Sequence, residues 1–123
     1  MWQAWEKGIV LAGISAGSLC WYEAGVTDSY GDELDPLQAL GFLPGSNCPH
    51  YDGEELRRPR YHELIRTGVI QGGIAADGGV AVHYIGTDIH RIVSSRPGAS
   101  AYAVQLVDGR VEEEAVKTEY LGK

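Results

Sequence analysis

This chain of 123 residues has no long hydrophobic run, little positive charge, few cysteines and no repeated unit. Its longest apolar stretch, residues 8–14, is the size of a strand, whereas a membrane-crossing helix takes about 20 residues. Ten Lys and Arg stand against seventeen Asp and Glu, a net charge of -7. A phosphate backbone is repelled by that balance, which argues against a nucleic-acid partner. Two cysteines, Cys20 and Cys48, do not make a disulfide framework. No charged-then-apolar leader with a small-residue cleavage site opens the sequence. The expectation is a cytoplasmic protein, not in a membrane, with reduced thiols, one of them buried.

What is present reads as one domain over residues 1–123, with a hydrophobic share of 44%. Gly8-Ile9-Val10-Leu11-Ala12 has the continuous apolar character of a strand buried on both faces of a parallel sheet. A small-residue turn follows at 13–17, then a predicted helix over 16–24 ended by Gly25. Residues 27–35 are polar and read as a loop. Gly41-Phe42-Leu43-Pro44-Gly45 reads as a turn leading into a short segment, 46–50, that approaches the sheet. A helix is predicted from about Glu54 to Thr67 with Gly68 as its stop, and Pro59 demands a kink or a late start. Four strand-sized stretches close the chain: 69–74, 80–85, 89–94 and 102–107. Asp108-Gly109 is a hairpin signal. The fold class is therefore α/β with a mixed sheet, a parallel start feeding an antiparallel extension. Little chain precedes the first strand, so a central position for it implies further strands from an absent N-terminal half or another chain.

Gly13-Ile14-Ser15-Ala16-Gly17 matches Gly-x-Ser-x-Gly, the nucleophile elbow. A sharp strand-to-helix turn lifts a serine hydroxyl out of the sheet, and the glycines remove side chains that would collide there. The helix amides behind it, with the Ala16 N–H first, face the developing oxyanion. In a chain with seventeen glycines the bare pattern is weak, and the strand before it and helix after it give it weight. Such a serine needs a base. His62 lies among Arg60, Glu63 and Arg66 and reads as a solvated helix residue, while His83 and His90 fall in β segments. His50, after Asn47-Cys48-Pro49 at the end of an extended run, sits where loops build sites. The orienting carboxylate is open among Asp77, Asp28 and Asp52. Cys48 lacks an elbow and reads as packing. The spacing of His83, Asp88 and His90 fits no zinc template, so no metal or other cofactor is expected.

Three segments in order, Gly13-Ile14-Ser15-Ala16-Gly17-Ser18, Asn47-Cys48-Pro49-His50-Tyr51 and Gly73-Ile74-Ala75-Ala76-Asp77-Gly78, resemble landmarks of the peptidase E (aspartyl dipeptidase) family. The order Ser…His…acid separates it from α/β-hydrolases, which run Ser…acid…His. Class I glutamine amidotransferases, which share the fold, carry cysteine at the elbow. The resemblance implies a class I glutamine amidotransferase-like (flavodoxin-like) sheet, lacking its N-terminal half here. It implies Ser15 as nucleophile, His50 as base, Asp77 as orienting acid and Ala16 N–H as an oxyanion donor. The family commonly has glutamate where Asp77 stands, one methylene longer, and Asp28 resembles a further family acid as the alternative third member. Arg57, in Leu56-Arg57-Arg58-Pro59-Arg60, is the nearest match to an arginine that grips a substrate carboxylate, against a plain reading as an exposed basic helix face. The implied activity is a serine peptidase acting on small, in particular aspartyl, peptides. The other reading is an inactive or incomplete relative, acting as a binding module or one half of a split protein. Either way a homo-oligomer or partner chain is expected to cover open sheet edges.

Overall fold

Apolar residues at helical spacing between two turn-rich stretches define a ten-residue helix, and among the described residues the other main elements are strands. A computed structural model describes residues 3, 6–8, 11–13, 16–27, 35–53 and 57–122, with 16, 17, 27 and 35–37 described by backbone alone. Trp2, Trp5, Ser15 and Asp28 lie outside the described residues. In chain order the elements are α1 (Ala16–Leu19), β1 (Tyr22–Thr27), β2 (Asp35–Gln38), β3 (Leu43–Cys48), α2 (Arg57–Arg66), β4 (Gly73–Ala76), β5 (Val80–Ile85), β6 (Asp88–Ser94), β7 (Ala101–Val107), β8 (Arg110–Val116) and β9 (Glu119–Tyr120).

Six strands form a mixed sheet in the order β2-β1-β3-β4-β7-β8. Its centre, β1-β3-β4, is parallel, and β2, β7 and β8 join antiparallel. The strands β5, β6 and β9 make a second, smaller sheet. A mixed sheet with a helix packed on its centre is the α/β arrangement expected, and it is consistent with a flavodoxin-like layout. Among the described residues no helix is long and apolar enough to cross a membrane.

Helix α2 is described from Arg57 to Arg66, with Pro59 in the first turn of that span. It buries Arg57, Tyr61, Leu64 and Ile65, the i, i+4, i+7, i+8 stripe of a helix lying on a sheet. These pack with Val26, Cys48, Ala75 and Val104 from four strands. Burying Leu64 or Ile65 contributes about 1.5–3 kcal/mol each. The helix ends at Gly68, whose φ of 78° is left-handed. There Val69 N donates to Leu64 O (3.0 Å) and Gly68 N to Ile65 O (3.1 Å), a Schellman cap. One buried polar pair is fully accounted for. Ser46 Oγ donates to Gln71 O at 2.7 Å, so Tyr61 must donate its hydroxyl proton to Ser46 Oγ, also at 2.7 Å.

Four local expectations need correction. The stretch 11–13 joins no strand, and Ala12 and Gly13 are exposed, so the apolar run is not a buried strand there. The helix predicted over 16–24 is a single turn, after which Tyr22, Ala24 and Val26 turn inward as a strand. Gly25 is not a helix stop: a Cβ there would stand 2.8 Å from Leu19 Cδ1, so the bare backbone lets α1 lie on β1. Leu43-Pro44-Gly45 belongs to β3, and the β1 register slips between Tyr22 and Ala24 opposite Pro44, which cannot donate to the ladder. The strand predicted over 69–74 begins only at Gly73, because Val69 and Ile70 serve the cap of α2. By contrast β5 has the bounds predicted, and the β7–β8 hairpin turns at Asp108 (φ 50°) and Gly109 (φ 79°), the two left-handed positions of a type I′ turn.

Candidate active site

The parallel register of β3 and β4 sets the ends of two strands that lead to named residues side by side. Ser46 pairs with Gly73, Asn47 with Ile74 and Cys48 with Ala75, and His50 and Asp77 each follow the last of these pairs by two residues. The turns beyond the strands are joined directly, since Tyr51 N donates to Ala76 O at 2.9 Å. These are the carboxyl ends of parallel strands, where α/β sheets place their ligands.

His50 holds a φ of 53°, a left-handed conformation that non-glycine residues seldom adopt, and its side chain is exposed. Gly53 N closes the turn on His50 O at 2.9 Å. Asp77 lies at the exit of β4 and is only 7% exposed. Its Oδ2 accepts from Ser100 N (3.0 Å), and its N donates to Ser100 O (3.0 Å). Its Oδ1 is buried and has no hydrogen-bond partner among the described residues. A buried carboxylate oxygen normally has one, so this atom is set to receive a donor. Asp52, another candidate acid, is already engaged. Its Oδ1 accepts from Gly78 N (2.8 Å) and its Oδ2 from Arg96 Nη2 (2.9 Å). Partial burial pushes its carboxyl up, and these hydrogen bonds outweigh that and hold it below the usual range.

Ser15 is outside the described residues, but the helix that follows it in sequence is described. Helix α1 begins at Ala16, and Ser18 Oγ donates to Asn47 Oδ1 at 3.4 Å while Asn47 Nδ2 donates to Ile74 O at 2.9 Å. The start of α1 is thus tied to β3 and β4 just before His50 and Asp77.

Arg57 is not on an exposed basic face. It is 5% exposed and donates from Nη1 to Pro49 O at 3.3 Å, bracing the end of β3 from behind. Cys48 is buried beside it. Burial pushes the Cys48 thiol up to about 12 against the opposing pull of Arg57, so it is a packing thiol. His62 is not a solvated helix residue either. Its Nε2 meets Tyr51 Oη at 2.8 Å and Glu113 Oε1 at 3.0 Å, and Tyr51 Oη also donates to Glu113 Oε1. Arg58 caps the group, 4.6 Å above the Tyr51 ring. Burial pushes the Tyr51 phenol up and the Glu113 carboxylate beside it pushes it further. The residue next to His50 is therefore anchored through the core to β8. No local sequence signal pairs Tyr51 with Glu113 or Asp52 with Arg96; each link spans more than forty positions and exists only once the sheet has formed. Among the described residues no three metal-ligating side chains converge.

With that geometry in hand, the sequence profile of peptidase family S51 matches residues 1–92. The chain belongs to peptidase family S51. A curated relative, named "Uncharacterized peptidase YgaJ" of Bacillus subtilis (strain 168), is 52% identical over 120 residues, which cover 98% of this chain. The alignment covers 52% of that relative, so the chain spans about half of its length. No solved structure matches. The S51 match contains Ser15, His50 and Asp77 and runs into β6; β7, β8 and β9 lie beyond it. The residues beyond it still serve the candidate site, since Ser100, just before β7, and Glu113, in β8, hold Asp77 and Tyr51.

Proposed function

We propose that the chain carries the catalytic residues of a serine peptidase that cleaves small peptides. Ser15 Oγ attacks the scissile carbonyl carbon and His50 takes its proton. The amine leaves with that proton, and water then hydrolyses the acyl-serine ester. Asp77 orients the imidazole, and the Ala16 N–H donates to the oxyanion. The observation that carries this reading is the buried Asp77 Oδ1, without a partner among the described residues, in a turn bonded to the turn of His50. An imidazole N–H is the donor such an oxygen calls for. Asp28 stays as the alternative acid.

Aspartyl dipeptides are the proposed substrates, with Arg57 as the grip on their acidic side chain. The Pro49 carbonyl holds that guanidinium now, so a substrate carboxylate must take its place there. In that case Arg57→Ala raises KM for aspartyl over alanyl dipeptides; an equal KM for both removes the role. Labelling by a fluorophosphonate probe tests the nucleophile. Ser15→Ala abolishes it and His50→Ala slows it by about 10²–10⁴-fold. Labelling that survives Ser15→Ala ends the proposal.

One observation favours a second reading, a binding module or half of a larger assembly. Val69, Ile89 and Leu106 are exposed and line one open groove of about 1140 Å³. We propose that a second copy or a partner chain covers this face. A monomer at all concentrations in size-exclusion chromatography removes that cover.

A further inference from the structure

We propose that Asp52 and Arg96 form a clasp that holds the His50 turn against the Asp77 turn, making both positioning residues for the reaction of Ser15. The inference rests on the peptidase reading above and adds residues that it does not use.

Asp52 stands two residues after His50, and Gly78 follows Asp77. Asp52 Oδ1 accepts from Gly78 N at 2.8 Å. The Arg96 guanidinium bridges the same two turns, with Nη2 on Asp52 Oδ2 at 2.9 Å and Nη1 on Gly78 O at 2.7 Å. Both the N–H and the C=O of Gly78 are thus held, one by the carboxylate and one by the guanidinium. The Asp77 turn is built to receive this arginine. A Cβ on Gly78 would lie 3.1 Å from Arg96 Nη1, and one on Gly79 would lie 3.1 Å from Arg96 Cδ. Gly79 also has a φ of 83°, and Ser95 N donates to its carbonyl at 3.0 Å, docking the chain segment that carries Arg96. Two strand exits joined by one backbone bond, Tyr51 N to Ala76 O, would otherwise open by fraying. Arg is suited to the task because its planar fork serves two acceptors at fixed angles.

The pair is exposed, with side chains 52% and 32% accessible, so as an ion pair it adds little to global stability. Its effect is local order, and an ångström of misplacement at a catalytic base costs about a hundredfold in rate. The test measures fluorophosphonate inactivation of the intact protein, separating reversible probe affinity from the rate of the bonded step. Arg96→Ala is expected to slow the bonded step by about tenfold to a hundredfold. Probe affinity and the thermal midpoint stay close to the parent's. Asp52→Asn, which keeps an acceptor for Gly78 N, falls between. Added guanidinium ion restores much of the rate to Arg96→Ala. Amide exchange at Tyr51 is expected to quicken about tenfold in Arg96→Ala while that of Val104 does not change. A parent labelled through Ser15, with rate and Tyr51 exchange unchanged in Arg96→Ala, overturns the clasp alone. A rate loss matched by a fall in thermal midpoint, without guanidinium rescue, also overturns it, as a purely structural effect. A parent that the probe does not label overturns the peptidase reading, and the clasp's role with it.

Discussion

Two places in this chain gather histidine with aspartate, and their surroundings differ. In the hairpin of β5 and β6, His83 and His90 stack edge to face with ring centroids 5.1 Å apart, and Asp88 opens β6. All three are exposed, and among the described residues no third ligand completes a metal site. At the ends of β3 and β4, Asp77 is buried with one oxygen that meets no partner among the described residues, and His50 sits on a left-handed backbone. The turns around them are cross-tied by Tyr51, Asp52 and Arg96. The right residue types occur in both places. Only the second has a desolvated acid and a fixed backbone, which is what makes a group of polar side chains chemically directed.

Substitution is expected to separate the two places. The largest effect falls on the turns: Asp77→Ala slows labelling by about 10³-fold or more, on the scale of losing an orienting acid. Asp88→Ala leaves the rate as it was. A comparable loss in both variants would break the distinction. Next comes the support beneath the turns. Leu64→Ala, under the β3 and β4 core, destabilises by about 2–5 kcal/mol in urea unfolding. Ile85→Ala, on the exposed hairpin, changes stability by about 0.5 kcal/mol or less. A smaller effect concerns Glu113. Partial burial pushes its carboxyl up, but hydrogen bonds from Tyr51 and His62 and the charge of Arg58 hold it below the glutamate value of 4.5. Between the folded and unfolded values the folded state then binds fewer protons, so stability rises with pH across that window. The contribution is complete above the ordinary glutamate range and is lost as pH falls below it. Glu113→Gln is expected to flatten the acid limb of the stability profile, read by thermal unfolding from pH 3 to 6; an unchanged limb contradicts this. The smallest effect belongs to the hairpin histidines, where His83→Ala with His90→Ala shifts stability by about 0.5 kcal/mol or less.

How far these differences could be read in advance varied along the chain. Helix α2 and its stop at Gly68 were legible, because capping acts through neighbours in sequence. So were β5 and the Asp108-Gly109 hairpin, where alternation and turn chemistry agree. The segment 16–27 was not. Small residues with no strong periodicity fit a helix until Leu19 is seen lying over Gly25, a tertiary contact. Strand β4 was placed too early because Gly73-Ile74-Ala75-Ala76 is poor in β-branched residues and its strand state comes from being wedged between β3 and β7. At the candidate site, motif order singles out His50 and Asp77, whose roles belong to the proposal. Their fastening could not be read in advance, since Asp52, Arg96, His62 and Glu113 acquire meaning only through pairings across the sheet. Nor could the burial of Arg57, which its charged neighbours disguise.

A crystal structure of the protein after reaction with a fluorophosphonate tests the central claim most directly. Phosphorus is expected on Ser15 Oγ, with one imidazole nitrogen of His50 about 3 Å from the adduct and the other on Asp77 Oδ1. An adduct elsewhere, or a His50 ring turned from Asp77 with Oδ1 bonded to some other group, contradicts the account.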